Sequence, residues 1–254
     1  MSLRDTPDEV LGYIEETRLG WRSHPMTAHH NGKHIVFMGD SFTFGEGLEL
    51  EDTWAYKTHS KISASEENVE GFYNIGISGA SIKDCIDVFF KYADMHGNPD
   101  VIFFMTTEID RDIKHSTPET VNEFVYNQYK KLEDYCILNS ISLYAFSWVK
   151  DVGLYSKEPK RYLFESDEGK VTRPLWTEQV SQHGERGLLS NFSTFYDYSN
   201  DLMLERVYEF DKASKDGKKS MWALDGVHPG TSFHEFYSEF IYDKYVVDNR
   251  FHLL

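Results

Sequence analysis

Four short apolar runs, separated by stretches of helical period, limit what this chain can fold into more than any other feature. They are His34-Ile-Val-Phe-Met38, which ends at Gly39; Gly71-Phe-Tyr-Asn-Ile75, which leads into Gly76; Val101-Ile-Phe-Phe-Met105, which follows Pro99-Asp100; and Ile141-Ser-Leu-Tyr-Ala-Phe146. Short apolar runs bounded by turn-formers read as buried strands. Between them, residues 51–62, 81–95 and 118–138 read as helices. In 81–95 the side chains of Ile82, Ile86, Phe89 and Phe90 share one face, and Thr117 caps 118–138 with Pro118 at its first position. Strands alternating with helices predict a parallel sheet with helices on both faces. Sites in such sheets lie beyond the C-terminal ends of the strands. That rule points to Gly39–Gly47, Gly76–Ser81, Thr106–Arg111 and Ser147–Lys150.

Outside this frame the sequence is less periodic. Residues 5–17 predict a short helix capped by Asp5 or Thr6, with Pro7 in the first turn and Val10, Leu11 and Ile14 on one face. From 20 to 33 the chain turns to Gly, His, Asn and Pro and reads as loop. Residues 150–221 are polar, rich in aromatics and weakly periodic, with a helix expected near 197–212. A connection this long has structure of its own or a function, and it reads as an insertion covering one edge of the site. Residues 231–247 form a last expected helix, with Phe233, Phe236, Phe240 and Ile241 on one side. The 254 residues are therefore expected to make one α/β domain with an N-terminal extension (1–33) and an insertion (about 150–221).

Composition excludes several roles. A net charge of -16, from 26 basic and 42 acidic residues, repels nucleic-acid phosphates and anionic membranes, so neither is expected as a partner. Cys85 and Cys136 sit in helical stretches as small apolar residues, which suggests neither a disulfide framework nor a zinc site. His29, His30 and His34 lack a matching carboxylate or cysteine spacing, so no metal is expected. There is no leader-like apolar segment and no run near the roughly 18 apolar residues of a membrane span. The chain is expected to be soluble and, by default, cytoplasmic, although a mature form stripped of its leader would read the same.

Chemistry concentrates at two places. Gly39-Asp40-Ser41 follows a buried strand directly, so Ser41 would open the next element with its hydroxyl exposed and unpaired amides around it. Alone, these residues also describe an ordinary helix cap. Asp225 and His228 stand three apart in Asp225-Gly-Val-His-Pro-Gly230. A loop of this kind can let Asp225 accept from one imidazole nitrogen while the other takes the proton of a serine. Alone, that pair also describes a cap beside a surface histidine. Their combination, with the serine after the first strand and the histidine before the last helix, is far more specific than either part.

In that combination the sequence resembles the SGNH (GDSL) hydrolases, over most of 34–149 and 222–247. Gly39-Asp-Ser-Phe-Thr-Phe-Gly-Glu-Gly47 is similar to the family's nucleophile block. Asn74-Ile-Gly-Ile-Ser-Gly-Ala80 is similar to the second block, and Asp225-Gly-Val-His-Pro-Gly230 to the last. Arg22, in Gly20-Trp-Arg22, resembles a stretch that often precedes the first block in longer members. The resemblance implies a three-layer α/β/α flavodoxin-like fold around a parallel sheet. It implies a cofactor-free serine esterase with Ser41 as nucleophile, His228 as base and Asp225 as orienting acid, and with the Ser41 and Gly79 amides on the oxyanion.

The third block departs from the family pattern. Where Gly-x-Asn-Asp is usual, Val101–Met105 is followed by Thr106-Thr-Glu-Ile-Asp110, which aligns Thr107 with the oxyanion asparagine and Glu108 with the aspartate. Thr107 is thus a candidate third oxyanion donor. Asp40 and Glu108 are candidates for substrate contact, as are Glu46, Asp110 and Arg111, all on C-terminal loops. Loss of one oxyanion donor raises the barrier of a serine hydrolase by roughly 3–4 kcal/mol. Two readings follow: an esterase acting on short acyl esters, such as O-acetyl groups on carbohydrate, or a weak or inert SGNH-like module that binds glycan. Trp148, Tyr155, Tyr162, Trp176 and Tyr196 suit sugar stacking and suit packing of the insertion equally. A nucleotide-binding role is disfavoured, because no phosphate-cradling glycine loop of the G-x-x-x-x-G-K type is present.

Overall fold

The first apolar run becomes β1 (Ile35–Gly39), buried along its whole length. The third becomes β3 (Val101–Thr106), also wholly buried, and the fourth β4 (Ser142–Ser147). The computed structural model describes residues 21–24, 31–107, 109–117, 120–147, 193–194, 223 and 228–251. The expected helices at 5–17 and 197–212, most of the 150–221 insertion, Glu108 and Asp225 lie outside the described residues.

The second run contributes only Tyr73–Asn74 as β2. Its outer edge is bonded by the N-terminal segment. The His24 amide donates to Phe72 O, Phe72 N donates to His24 Nδ1, and the Ser23 hydroxyl bonds both the N–H and the carbonyl of Asn74. Residues 21–23 read as plain loop in the sequence, yet Trp21, Arg22 and Ser23 are buried.

All strand pairings are parallel, in the order β2-β1-β3-β4, with β5 (Ser193–Thr194) pairing the end of β4. This is the doubly wound order 2-1-3-4-5, whose switch point falls between β1 and β3. Strand side chains alternate between two faces. On one face Phe37, Phe103 and Tyr144 stack across β1, β3 and β4, with ring centroids 5.2 and 5.3 Å apart. That face is covered by α2 (Trp54–Ser65) and α5 (Thr231–Phe251), which pack on each other. Tyr245 of α5 meets the Phe103 ring. The opposite face is covered by α3 (Ile82–His96) and α4 (Val121–Leu138), with Phe104 against Tyr129. α1 is the single turn Ser41–Phe44.

Two helix starts differ from expectation. Residues 50–52 form a 3-10 turn and α2 begins after Thr53, whose extended backbone and hydroxyl, accepting from Tyr56 N, make it the N-cap. α4 begins at Val121, although the Thr117 carbonyl already accepts from the amides of Thr120 and Val121. Cys85 and Cys136 are buried free thiols. Burial pushes both thiols up, Cys136 to about 12, so neither is a thiolate at neutral pH.

Candidate active site

Ser41 stands at the C-terminal end of β1, over the switch point. Gly39 makes this possible. It has φ +155°, and a Cβ there would lie 2.2 Å from Thr43 Oγ1 and 2.6 Å from the Met105 carbonyl, so only glycine lets β1 turn this close to β3. Asp40 is the N-cap of α1 and accepts from Phe42 N at 3.0 Å. Ser41 follows as the first helical residue, 2 % exposed. Among the described residues neither its hydroxyl nor its amide has a hydrogen-bond partner.

Asp40 is fully buried. Beside the Phe42 amide it receives the Thr107 hydroxyl at 2.7 Å, and Arg111 Nη1 lies 3.4 Å from the same oxygen, Oδ2. A buried carboxylate is tolerable with such partners and very costly without them. The carboxylate is buried and ties together the loops around it. Thr107 is equally buried. A threonine hydroxyl carries one proton, and here that proton goes to Asp40. For Thr107 to donate to an oxyanion, this bond would have to break.

The second loop packs against the first. Asn74 Nδ2 donates to Thr43 O at 2.7 Å, its Oδ1 accepts from Gly76 N at 2.9 Å, and Ile77 N donates to Gly39 O at 3.0 Å. The loop ends at Gly79, exposed and left-handed at φ +74°. No described residue accepts from the Gly79 amide. Ser81 then starts α3 with a capping box to Asp84. Asp112, a residue that sequence reasoning missed, accepts from the amides of Ile82 and Lys83 at 3.0 Å each. Burial pushes its carboxyl up, against the pull of those donors. Arg111 joins the two loops, because Nη1 also reaches the Ala80 carbonyl at 3.4 Å.

His228 precedes α5 and is half-buried, and its carbonyl accepts from Ala223 N at 2.9 Å. Its ring meets the Phe42 ring edge-on, 6.0 Å between centroids. The tertiary fold therefore brings His228 to the turn after β1, beside the residue that follows Ser41. Asp225 and Glu108 lie outside the described residues.

Two further residues hold the site together. His234, in the first turn of α5, accepts through Nδ1 from Trp54 N at 2.9 Å, and Trp54 Nε1 donates to Phe42 O at 3.1 Å. Burial, then the charges of Lys57, His228 and Arg22, push the His234 imidazole down to about 3, so it is neutral at physiological pH. Arg22, flagged in the sequence only by resemblance, is buried and donates to the carbonyls of Phe44, Gly45 and Leu48 at 2.9–3.2 Å. His34, from the expected non-metal cluster, is buried against Tyr92. Among the described residues no group of three or more His, Cys, Asp or Glu could hold a metal ion, and no helix is long and apolar enough to cross a membrane.

No family model matches the sequence, and comparison with curated proteins gives no match. Solved structures do match. The psychrotrophic esterase EstA from Pseudoalteromonas sp. is 14 % identical, with a TM-score of 0.51, over 85 % of this chain and 98 % of that one. The acetyl xylan esterase AlAXEase is also 14 % identical, with a TM-score of 0.50, over 82 % of this chain and 98 % of that one. The fold is that of the SGNH hydrolases: a parallel sheet between helices, with the flavodoxin-like strand order.

Proposed function

We propose that this chain is a serine esterase. The Ser41 hydroxyl oxygen attacks the ester carbonyl carbon as its proton passes to His228, which Asp225 orients. The carbonyl π pair moves onto oxygen, where the Ser41 and Gly79 amides hold it. As the tetrahedral intermediate collapses, the carbon–alkoxide bond breaks and His228 protonates the departing alcohol. Water, deprotonated by His228, then attacks the acyl-serine and releases the acid and Ser41. No metal or organic cofactor enters these steps. Substrates in this reading are short acyl esters, among them O-acetyl groups on carbohydrate.

The observation that carries the reading is the meeting of two distant segments over the β1/β3 switch point. The His228 ring packs on Phe42, while the neighbouring Ser41 hydroxyl and the Ser41 and Gly79 amides have no partner among the described residues. One observation favours the other reading, an inert glycan-binding module: the Thr107 hydroxyl is already bound to Asp40.

Hydrolysis of p-nitrophenyl acetate by wild type and by Ser41→Ala separates the two. Ser41-dependent release of p-nitrophenol, with Ser41 labelled by a fluorophosphonate, is the expected result. Equal rates in both proteins remove Ser41 from the mechanism. Absence of turnover together with absence of labelling points to the binding module.

A further inference from the structure

Arg111 lies where the two loops of the proposed site meet. Its Nη1 is 3.4 Å from Asp40 Oδ2, on the Ser41 side, and 3.4 Å from the carbonyl of Ala80, the residue after Gly79. Asp40 is sealed from solvent, but the Arg111 side chain remains 27 % exposed. The guanidinium is thus tethered between the two loops and remains partly open to solvent. The neighbouring hydroxyl at 107 is committed to Asp40. A guanidinium is planar, stays protonated, and carries five N–H donors. Its hydrogen bonds to an anionic oxygen are roughly twice as strong as those of a neutral donor.

We propose that Arg111 is a catalytic residue of this chain, a third donor to the oxyanion. The inference rests on the esterase reading above. As Ser41 Oγ bonds to the carbonyl carbon and negative charge gathers on the carbonyl oxygen, the Arg111 guanidinium closes on that oxygen beside the Ser41 and Gly79 amides. No proton moves to or from Arg111. Asp40 holds the cation in place, so little reorganisation accompanies the reaction.

The test compares kcat and KM for p-nitrophenyl acetate in wild type, Arg111→Ala, Arg111→Lys and the double variant Arg111→Ala with Thr107→Asn. Arg111→Ala is expected to lower kcat about 100-fold with KM within a few-fold, the pattern of a contact made in the transition state. Arg111→Lys, which keeps a cation, should retain about tenfold more activity than Arg111→Ala. Thr107→Asn sets a carboxamide donor in the same wall and should restore about tenfold or more to Arg111→Ala. An Arg111 that merely tied Asp40 to Ala80 would not be rescued in this way, because that tie stays broken. The proposal is overturned if Arg111→Ala keeps kcat within about threefold of wild type, if its loss lies wholly in KM, or if neither Lys nor the double variant recovers activity. Should Arg111→Ala not fold, Arg111→Gln carries the same comparison. Turnover that disappears in Ser41→Ala but survives in the Arg111 variants overturns this proposal alone. Wild type with neither turnover nor labelling overturns the esterase reading and this proposal with it.

Discussion

A carboxylate without solvent is stable only where donors replace its water, and at Asp40 the Phe42 amide, the Thr107 hydroxyl and the Arg111 guanidinium do so. Thr107→Val keeps the shape of the side chain and removes its proton. It should lower the unfolding free energy by about 1–3 kcal/mol, because a buried acceptor loses a partner. Thr107→Ser should stay within about 1 kcal/mol of wild type. Urea unfolding monitored by circular dichroism reads both, and equal loss in the two variants would show that packing rather than the hydrogen bond matters at 107. The sharp turn at Gly39 was legible because a glycine directly after a buried apolar run marks itself locally. The partnership of Thr107 with Asp40 was not. It joins positions 67 apart, and a threonine after a strand carries no sign of which distant carboxylate it will meet.

At the scale of elements, the site depends on two anchors that lie outside its chemistry. Asp112 caps α3 from the 3-10 segment after β3, and so ties the loop carrying Arg111 to the loop carrying Gly79. Asp112→Ala should cost about 1–2 kcal/mol, as loss of a helix cap does, with early hydrogen exchange at Ile82 and Lys83. Arg22 binds three carbonyls at and just after the end of α1. Arg22→Met keeps most of the apolar stem but strands those carbonyls. It should lower stability by about 1–3 kcal/mol and raise exchange across 41–48, and an unchanged exchange pattern there would rule out this anchoring role. Strands and helices followed their local patterns closely, since burial and period act over neighbouring residues. One exception is β2, which spans only Tyr73–Asn74, with residues 23–24 bonded along its outer edge.

For the whole molecule, His234 links pH to stability. Its folded value, about 3, lies below the ordinary histidine value of 6.5 because the ring is buried. Between those two limits the unfolded chain binds a proton that the folded chain refuses, so stability rises with pH through this window and is lost as pH falls below 6.5. Burial lowers His24 and His59 as well, with the same sign. His234→Asn keeps an acceptor for Trp54 N and removes the titration. It should be less stable than wild type at pH 8, but its stability should fall less steeply from pH 6.5 to 4.5, by up to about 1.4 kcal/mol per pH unit. Chemical denaturation at several pH values measures the two slopes, and parallel slopes would exclude His234 as the source.

By itself the sequence determined the alternation of strand and helix, the doubly wound class, the turn at Gly39 and the segments able to carry a nucleophile and a base. Those properties depend on side-chain period and backbone sterics, which are written over a few consecutive residues. Only the tertiary structure decided what each polar side chain meets: Thr107 on Asp40, Arg111 between Asp40 and Ala80, and His234 on Trp54, a pair 180 positions apart. Such pairings follow from the strand order 2-1-3-4-5, which sets the ends of β1 and β3 side by side, and from the packing of α5 on α2. A hydrogen bond depends on distance and angle in space, and neither is encoded in the spacing of residues along the chain.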